Sequence, residues 1–349
     1  MINYEITTNI KNVYGLDKTK RNILIIGKGK TNNELKTILN PMTPEMAKKI
    51  YGESDLYNAY KIASDITKDV NIYTVNCLLY TDTIEIIDDL IHYNFDFIVP
   101  LDIYLRDTFI NPITNQITYF IAYYLERLGI TNNKTIIIAT ERKSDLYDDI
   151  DTYLLDMKKI YNDFYKSNLD VLNKYGNNLV FVLNNFKDHT FSNIALAASL
   201  SACDFNRYPE DISFPTYFDI DYLDLRKYTS ICFYKHHPIT KMSSIEQLHN
   251  MRVKEDVYKK ILIDIIVKYV TSQLELNEFI GLFYSPYTKV QIDVKIRNVM
   301  ESMLGVVFES YSINKVYFKK TDIGSGRLII DLSIVPYKLL ERINVILEV

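Results

Sequence analysis

The stretch Arg327–Val349 reads RLIIDLSIVPYKLLERINVILEV. It holds two alternating apolar runs, parted by Pro336 and a Leu339-Leu340 patch. Ile330, Leu332 and Ile334 share one face of the first run. Ile343, Val345, Leu347 and Val349 share one face of the second. Side chains two residues apart lie on the same side of a strand, so each run predicts a half-buried strand. The second strand carries no polar tail to blunt its edge, and an unblunted edge recruits another chain through its unpaired N–H and C=O groups. Two readings follow. Either the strand completes the subunit's own sheet, or it is passed to a neighbour by strand addition. In the second case each copy grips the next by a heterologous contact, which builds rings or open helical filaments.

The opposite end of the chain has a similar character. Residues 1–20 are polar and Gly-poor, with Ile2, Tyr4 and Ile6 alternating, which predicts an extended arm suited to joining a sheet elsewhere. Between the two arms the pattern changes twice. RNILIIGKGK (Arg21–Lys30) is a strand followed by a turn. Thr43-Pro44 opens a helix that Gly52 ends, and Ser54 or Asp55 starts another that runs to about Thr67. Strands are then expected at Asn71–Leu79, Phe95–Val99, Thr135–Ala139 and Asn178–Asn184. Helices are expected at Asp82–Tyr93, Ile113–Leu128 (closed by Gly129), Leu146–Tyr175 (ended by Gly176) and Phe191–Ser201. This alternation predicts an α/β domain with a mainly parallel, mixed sheet over residues 21–227. Asp204–Lys227, with Pro209 and Pro215, reads as an irregular connection and the boundary between domains.

A second, α+β domain is expected over residues 228–341, followed by a C-terminal strand arm at 342–349. It opens with the strand Ser230–Tyr234 and a loop through His236-His237-Pro238. An amphipathic helix over Asp256–Gln273 follows, its stripe including Val257, Ile261, Ile265 and Tyr269. Another helix over Tyr287–Leu304 presents Val290, Val294, Met300 and Leu304. Two strands then flank the turn Gly324-Ser325-Gly326.

The composition is that of an ordinary globular protein: 349 residues, 48% hydrophobic, 24% charged and a net charge of −4. That charge, with scattered Lys and Arg, gives no footprint for nucleic acid or an anionic membrane. No apolar run approaches a membrane span, and the N-terminus lacks a signal-peptide layout. Cys77, Cys203 and Cys232 are widely spaced in apolar surroundings and read as buried reduced thiols. The 29 Tyr and the excess of Ile, Asn and Lys read as coding bias rather than chemistry.

A search for chemistry yields only weak motifs. Gly27-Lys28-Gly29-Lys30-Thr31 follows a strand and invites a phosphate-loop reading. The dinucleotide fingerprint, however, needs Gly where Asn32 stands, and the Walker pattern needs Gly where Leu24 stands. A doubly wound enzyme binding a phosphate-containing ligand at Gly27–Thr31 is retained as an alternative. Asp145, Asp148, Asp149 and Asp151 precede a helix, where carboxylates complement the dipole. Asp219, Asp221 and Asp224 alternate with Ile220, Tyr222 and Leu223 and suggest an extended segment with one wet face. His236, His237 and His249 have no partners at metal-ligand spacing. No catalytic residue, metal or cofactor is expected.

Four stretches together carry a resemblance. RNILIIGKGK with MAKKIYGESDLYNAYKIASDI (46–66), and then NIYTVN (71–76), resemble the opening of the contractile tail sheath proteins of phages and related contractile injection particles. NNLVFVLNNFKDHTFSNIALAASLSACD (177–204) is similar to that family's strand and Ala-rich "LAA" helix. MRVKEDVYKKILIDIIVKYV (251–270), the helix at 287–304 and the closing RLIIDLSIVPYKLLERINVILEV are similar to its C-terminal domain. The match spans nearly the whole chain, which is short and Gly-poor for the family and lacks a large extra outer domain.

The resemblance implies a structural subunit that polymerises as a helical sleeve around an inner tube and shortens to drive that tube through an envelope. Its implied partners are other copies of itself, the inner tail tube protein, and baseplate and tail terminator proteins, with no nucleic acid and no direct membrane insertion. Its implied location is a virion tail or contractile particle assembled in the bacterial host cytoplasm. Ile2, Tyr4, Ile6, Ile343, Val345, Leu347 and Val349 would then be the inter-subunit strand arms, and Ile330, Leu332 and Ile334 the receiving sheet. A baseplate component sharing the same C-terminal domain is a further alternative.

Overall fold

The computed structural model of the chain describes residues 21–336, apart from 31–33, 69, 91, 94, 112–113, 132–134, 188–190, 204–208, 210, 253–256, 258–260, 262–284, 306–307 and 321–325. Its central feature is an eight-stranded mixed sheet. In chain order the strands are β1 (Arg21–Gly27), β2 (Ile38–Leu39), β3 (Val70–Asn76), β4 (Phe97–Pro100), β7 (Ile136–Ala139), β8 (Leu179–Val182), β9 (Ile231–His237) and β10 (Met242–Glu246). Their spatial order is β10-β9-β8-β7-β4-β1-β3-β2. The six inner strands are parallel, and β10 and β2 join antiparallel at the two edges. Parallel strands are covered on both faces and therefore read as continuous apolar runs. Ile23, Leu24, Ile25 and Ile26 of β1 are all buried accordingly.

Helices cover both faces. α1 (Pro44–Tyr51) and α2 (Asp55–Ile66) start as their sequences require, with Thr43 Oγ1 accepting from the Met46 N–H at 3.2 Å and Ser54 Oγ from the Tyr57 N–H at 3.2 Å. α2 and α7 (Ser192–Ala202) pack on one face of the sheet. α7 is built of small and aliphatic residues, buried from Ser192 through Ser201, so it lies close against the strands. Asn193 Nδ2 donates to the Pro100 carbonyl at 2.9 Å, and the Arg21 guanidinium donates to the Leu200 carbonyl near the helix's C-terminus. The other face packs α3 (Tyr80–Leu90), α4 (Phe120–Thr131), α5 (Ile150–Ser167) and α6 (Leu169–Tyr175). There Leu24, Ile98, Ile137, Phe181 and Phe233 meet Ile87, Tyr124, Met157 and Phe164 in one core.

Several expectations need correction. The predicted domain boundary near residue 227 cuts this sheet. β9 pairs with β8 and buries Ile231, Cys232, Phe233 and Tyr234, so the segment to Ile261 belongs to the first compact unit. His236 and His237 lie in β9 of a hairpin, not in a loop, and their ring nitrogens meet Ser243 Oγ at 3.1 Å and Ser244 Oγ at 2.8 Å. Residues 114–119 are not helical. A small hairpin, β5 (Thr108–Ile110) with β6 (Ile117–Tyr119), precedes α4, and Asn115 takes a left-handed φ of 59° between its strands. α4 then runs past Gly129, where a Cβ would lie 2.3 Å from the Tyr175 ring; the glycine serves helix approach rather than helix ending.

The long helix expected over 146–175 is divided. Asp149 caps α5, and Asn168 interrupts the helix, its Nδ2 donating to the Phe164 carbonyl at 2.8 Å. Asp221 is not in an extended segment but caps the short α8 (Tyr222–Leu225) in a reciprocal capping box with Asp224. Cys77 and Cys232 are buried free thiols as expected, while Cys203 is half-buried.

The second compact unit, from Leu262 onward, contains α9 (Pro286–Met303), β11 (Phe308–Lys320) and β12 (Gly326–Pro336). The helix expected over Asp256–Gln273 lies mostly outside the described residues, though Val257 and Ile261 are helical and buried.

Candidate assembly interface

In the second unit α9 starts at Ser285, whose Oγ accepts from the Thr288 N–H at 3.1 Å, with Pro286 at the first helical position. Ile292, Ile296, Met300 and Met303 form its buried face. The sequence reading rotated this helix. Val290 and Val294, expected inward, are exposed together with Tyr287, forming an outer apolar stripe at i, i+3 and i+7. The competing stripe of Ile292, Ile296, Met300 and Met303, at i, i+4, i+8 and i+11, is the signal that identifies the buried side.

β11 and β12 form an antiparallel pair running from Phe308 opposite Pro336 to Lys320 opposite Gly326, with two register irregularities. The pair is one-sided. Phe308, Val316, Ile330 and Leu332 are buried, and Ile334 is half-buried. On the wet side Ser310, Ser312 and Asn314 are exposed. Asn314 Nδ2 donates across the strands to Asp331 Oδ1 at 3.1 Å and Ser333 Oγ at 2.8 Å. Tyr311 donates its hydroxyl proton to Glu301 Oε1 of α9 at 2.7 Å. The strands are 13 and 11 residues long, so each spans about 35–45 Å at ~3.4 Å per residue. Among the described residues neither strand has a second neighbour. A ribbon of two strands is marginal alone and gains stability from further strands or a covering element. Ile2, Tyr4, Ile6, Ile343, Val345, Leu347 and Val349, the predicted arms, lie outside the described residues, as do Thr31 and, of the predicted turn, Gly324 and Ser325.

The rival site can be tested on geometry. In a doubly wound sheet a ligand binds beyond the carboxyl ends of the strands, where the strand order reverses. Here that crevice falls between β1 and β4, at Gly27–Lys30. It is filled by the chain itself. A Cβ at Gly27 would lie 2.6 Å from Leu101 Cδ1, and Leu101 is fully buried. The Gly29 N–H donates to Asn76 Oδ1 at 2.8 Å, the Lys30 N–H to the Tyr51 carbonyl at 2.8 Å, and the Lys28 N–H to the Asp102 carboxylate. Burial and the Asp55 charge raise the Asp102 pKa, and its Lys28 contacts pull the other way. A phosphate would have to displace a carboxylate from donors already in use. Among the described residues no group of His, Cys, Asp and Glu is arranged to hold a metal, and no helix is long and apolar enough to cross a membrane.

Comparison with known proteins adds the fold's kinship. No protein-family model matches the chain, and no curated protein does. Solved structures do match. A chain of the anti-feeding prophage baseplate is 9% identical, with a TM-score of 0.63, over 95% of this chain and 93% of that one. The helical sheath of the same particle in its contracted state is 10% identical, with a TM-score of 0.60, over 100% of this chain and 98% of that one. The chain thus has the fold of contractile-particle sheath and baseplate components, a likeness that extends over both compact units.

Proposed function

We propose that the chain is the structural subunit of a contractile sheath, polymerising as a helical sleeve around an inner tube and shortening by a switch between two subunit packings. The supporting observation is the one-sided β11–β12 ribbon, whose edges have no neighbour among the described residues, in a fold matched end to end by a contracted sheath. Residues 1–20 and 342–349 are the proposed strand arms, with Ile2, Tyr4 and Ile6 on one and Ile343, Val345, Leu347 and Val349 on the other. The ribbon around Ile330, Leu332 and Ile334 receives them from adjoining copies. An added strand making about five net hydrogen bonds gains roughly 1 kcal/mol from each. Two to four buried aliphatics contribute about 1.5–3 kcal/mol apiece before ordering costs. Such a link outlasts weaker lateral contacts while the bodies rotate, and the switch requires no nucleotide. The partners in this reading are further copies, an inner tube protein, and baseplate and terminator proteins. The setting is a virion tail or related particle, assembled in a bacterial cytoplasm.

Deleting Ile343–Val349 is expected to leave a folded monomer that forms no tubes in negative-stain micrographs. Normal sleeves from that truncation would sink the strand-exchange mechanism. The baseplate likeness supports a second reading, a baseplate component with the same two-unit fold. Sleeves formed by the isolated full chain favour the sheath, and small closed rings favour the baseplate.

A further inference from the structure

The β9–β10 hairpin carries an apolar tip within a cationic rim. Ile239, in the turn between the strands, is 95% exposed. Around it stand Pro238, Lys235, Lys241 and the rings of His236 and His237, and the strands are held in register from His237 opposite Met242 to Phe233 opposite Glu246. Paired strands hold this tip in a fixed shape, so an exposed isoleucine on it needs an account.

Another surface of the same compact unit has the reverse character. A chain of rings ties the segment before α5 to the segment before α8: Tyr147 to Tyr153 at 5.1 Å, Tyr153 to Phe218 at 5.8 Å, and Phe218 to Tyr217 at 4.8 Å. On these linked segments Leu146 is 70% exposed and Tyr217 is 43% exposed, with Asp145, Asp148, Asp151 and Asp219 exposed beside them. Among the described residues no ion pair takes up any of these four carboxylates, nor Lys235 or Lys241. Of the cations beside these segments, Lys143 lies over the Phe191 ring at 4.7 Å, while Arg142 and Lys187 are exposed and leave the four carboxylates in excess. Each surface has an apolar centre and a charged rim, the usual anatomy of a protein contact, and the two rims are opposite in sign.

We propose that the β9–β10 hairpin of one copy docks on the Leu146–Tyr217 surface of another copy. Ile239 packs against Leu146 and Tyr217, and Lys235 and Lys241 face the aspartates. The two surfaces are different, so the contact is heterologous and propagates. This inference rests on the assembly reading above, to which it adds a lateral contact independent of the strand arms.

The test is a charge swap in the full chain, scored as the protein concentration at which assemblies appear by sedimentation and negative-stain microscopy. K235E/K241E is expected to raise that concentration about ten-fold or more, and D145K/D148K to do the same. The combined four-residue variant is expected to recover most of the loss, because the paired signs are restored. Ile239→Ser supplies a charge-neutral check and is expected to weaken assembly too. Thermal melts of all variants should match the parent, since the altered side chains are exposed or, at Lys235, half-buried. Assembly unchanged by either reversal, or no recovery in the combined variant, would overturn the docking while leaving the sheath reading intact. A parent chain that stays monomeric at every concentration would overturn both.

Discussion

The eight-stranded sheet and the β11–β12 ribbon use the same backbone chemistry and reach opposite ends. The eight-stranded sheet is finished. Helices cover both faces, one edge strand is only two residues long, and the other is tied by Ser243 to Ile212 through reciprocal backbone bonds of 2.7 and 3.0 Å. Short or covered edges are how natural sheets avoid unwanted partners. The β11–β12 ribbon has one apolar face, one wet face and two long edges with no neighbour among the described residues. One sheet has both edges short or tied, and the other is the one that the proposed strand exchange would extend.

The largest expected contrast is in amide hydrogen exchange. Amides of β1 and β4 should exchange only through global opening, while those of β11 and β12 in the unassembled chain should exchange orders of magnitude faster. Equal protection of both sheets in the monomer would remove the contrast. Strong protection of β11 and β12 that appears only on assembly would sharpen it. Next in size is Phe181→Ala, which empties the fully buried centre of the large sheet and should cost about 3–5 kcal/mol in urea unfolding. A loss below about 1 kcal/mol would show that the large core is not what stabilises the chain.

The smallest effect concerns a polar cluster at the rim of the large sheet. Glu141, fully buried, accepts from Arg106 Nε at 2.6 Å, and Arg106 also donates to Asp156 at 3.0 Å. Burial raises the Glu141 pKa against the pull of Arg106. Burial also pushes Asp156 upward, but hydrogen bonds from Tyr147 and Arg106 outweigh it and hold that carboxyl below its usual range. The signs therefore oppose. The Glu141 contribution is complete below the ordinary Glu pKa and is lost as pH rises through the raised value. The Asp156 contribution is present above the ordinary Asp pKa and is lost as pH falls through the lowered value. Glu141→Gln should remove the first dependence and keep the second. Urea midpoints at pH 4 and pH 7 for parent and variant would check this, and an unchanged difference between them would refute it.

Local signals with a mechanism were legible in the sequence. Thr43, Pro44, Gly52 and Ser54 sit where capping chemistry predicts. The alternation at Ile330, Leu332 and Ile334 marks the inner face of β12, and the continuous apolar run of β1 marks a central parallel strand. What failed depends on distant partners. Nothing near Ile231 announces that its strand pairs with Leu179–Val182, because parallel pairing joins residues far apart in the chain. The apolar spacing of Ile113, Ile117 and Ile121 imitates a helix, yet the left-handed Asn115 turns the chain into a hairpin. α9 has two apolar stripes, and only the tertiary context decides which is buried. The docking surfaces were hidden for a related reason. Asp145 to Asp151 read as dipole complement, which Asp149 indeed is, while the approach of Tyr217 and Asp219 depends on ring contacts across the fold.

Arg21 is the first described residue of the chain, and its guanidinium grips the Leu200 and Cys203 carbonyls at the far end of the buried helix α7. A tug on the chain before Arg21 would therefore be passed on through that guanidinium. It would arrive directly at a helix buried from Ser192 through Ser201 and be shared among the strands that helix rests on. The point of attachment is thus a buried helix seated on the large sheet, and a pull there loads helix and strands together.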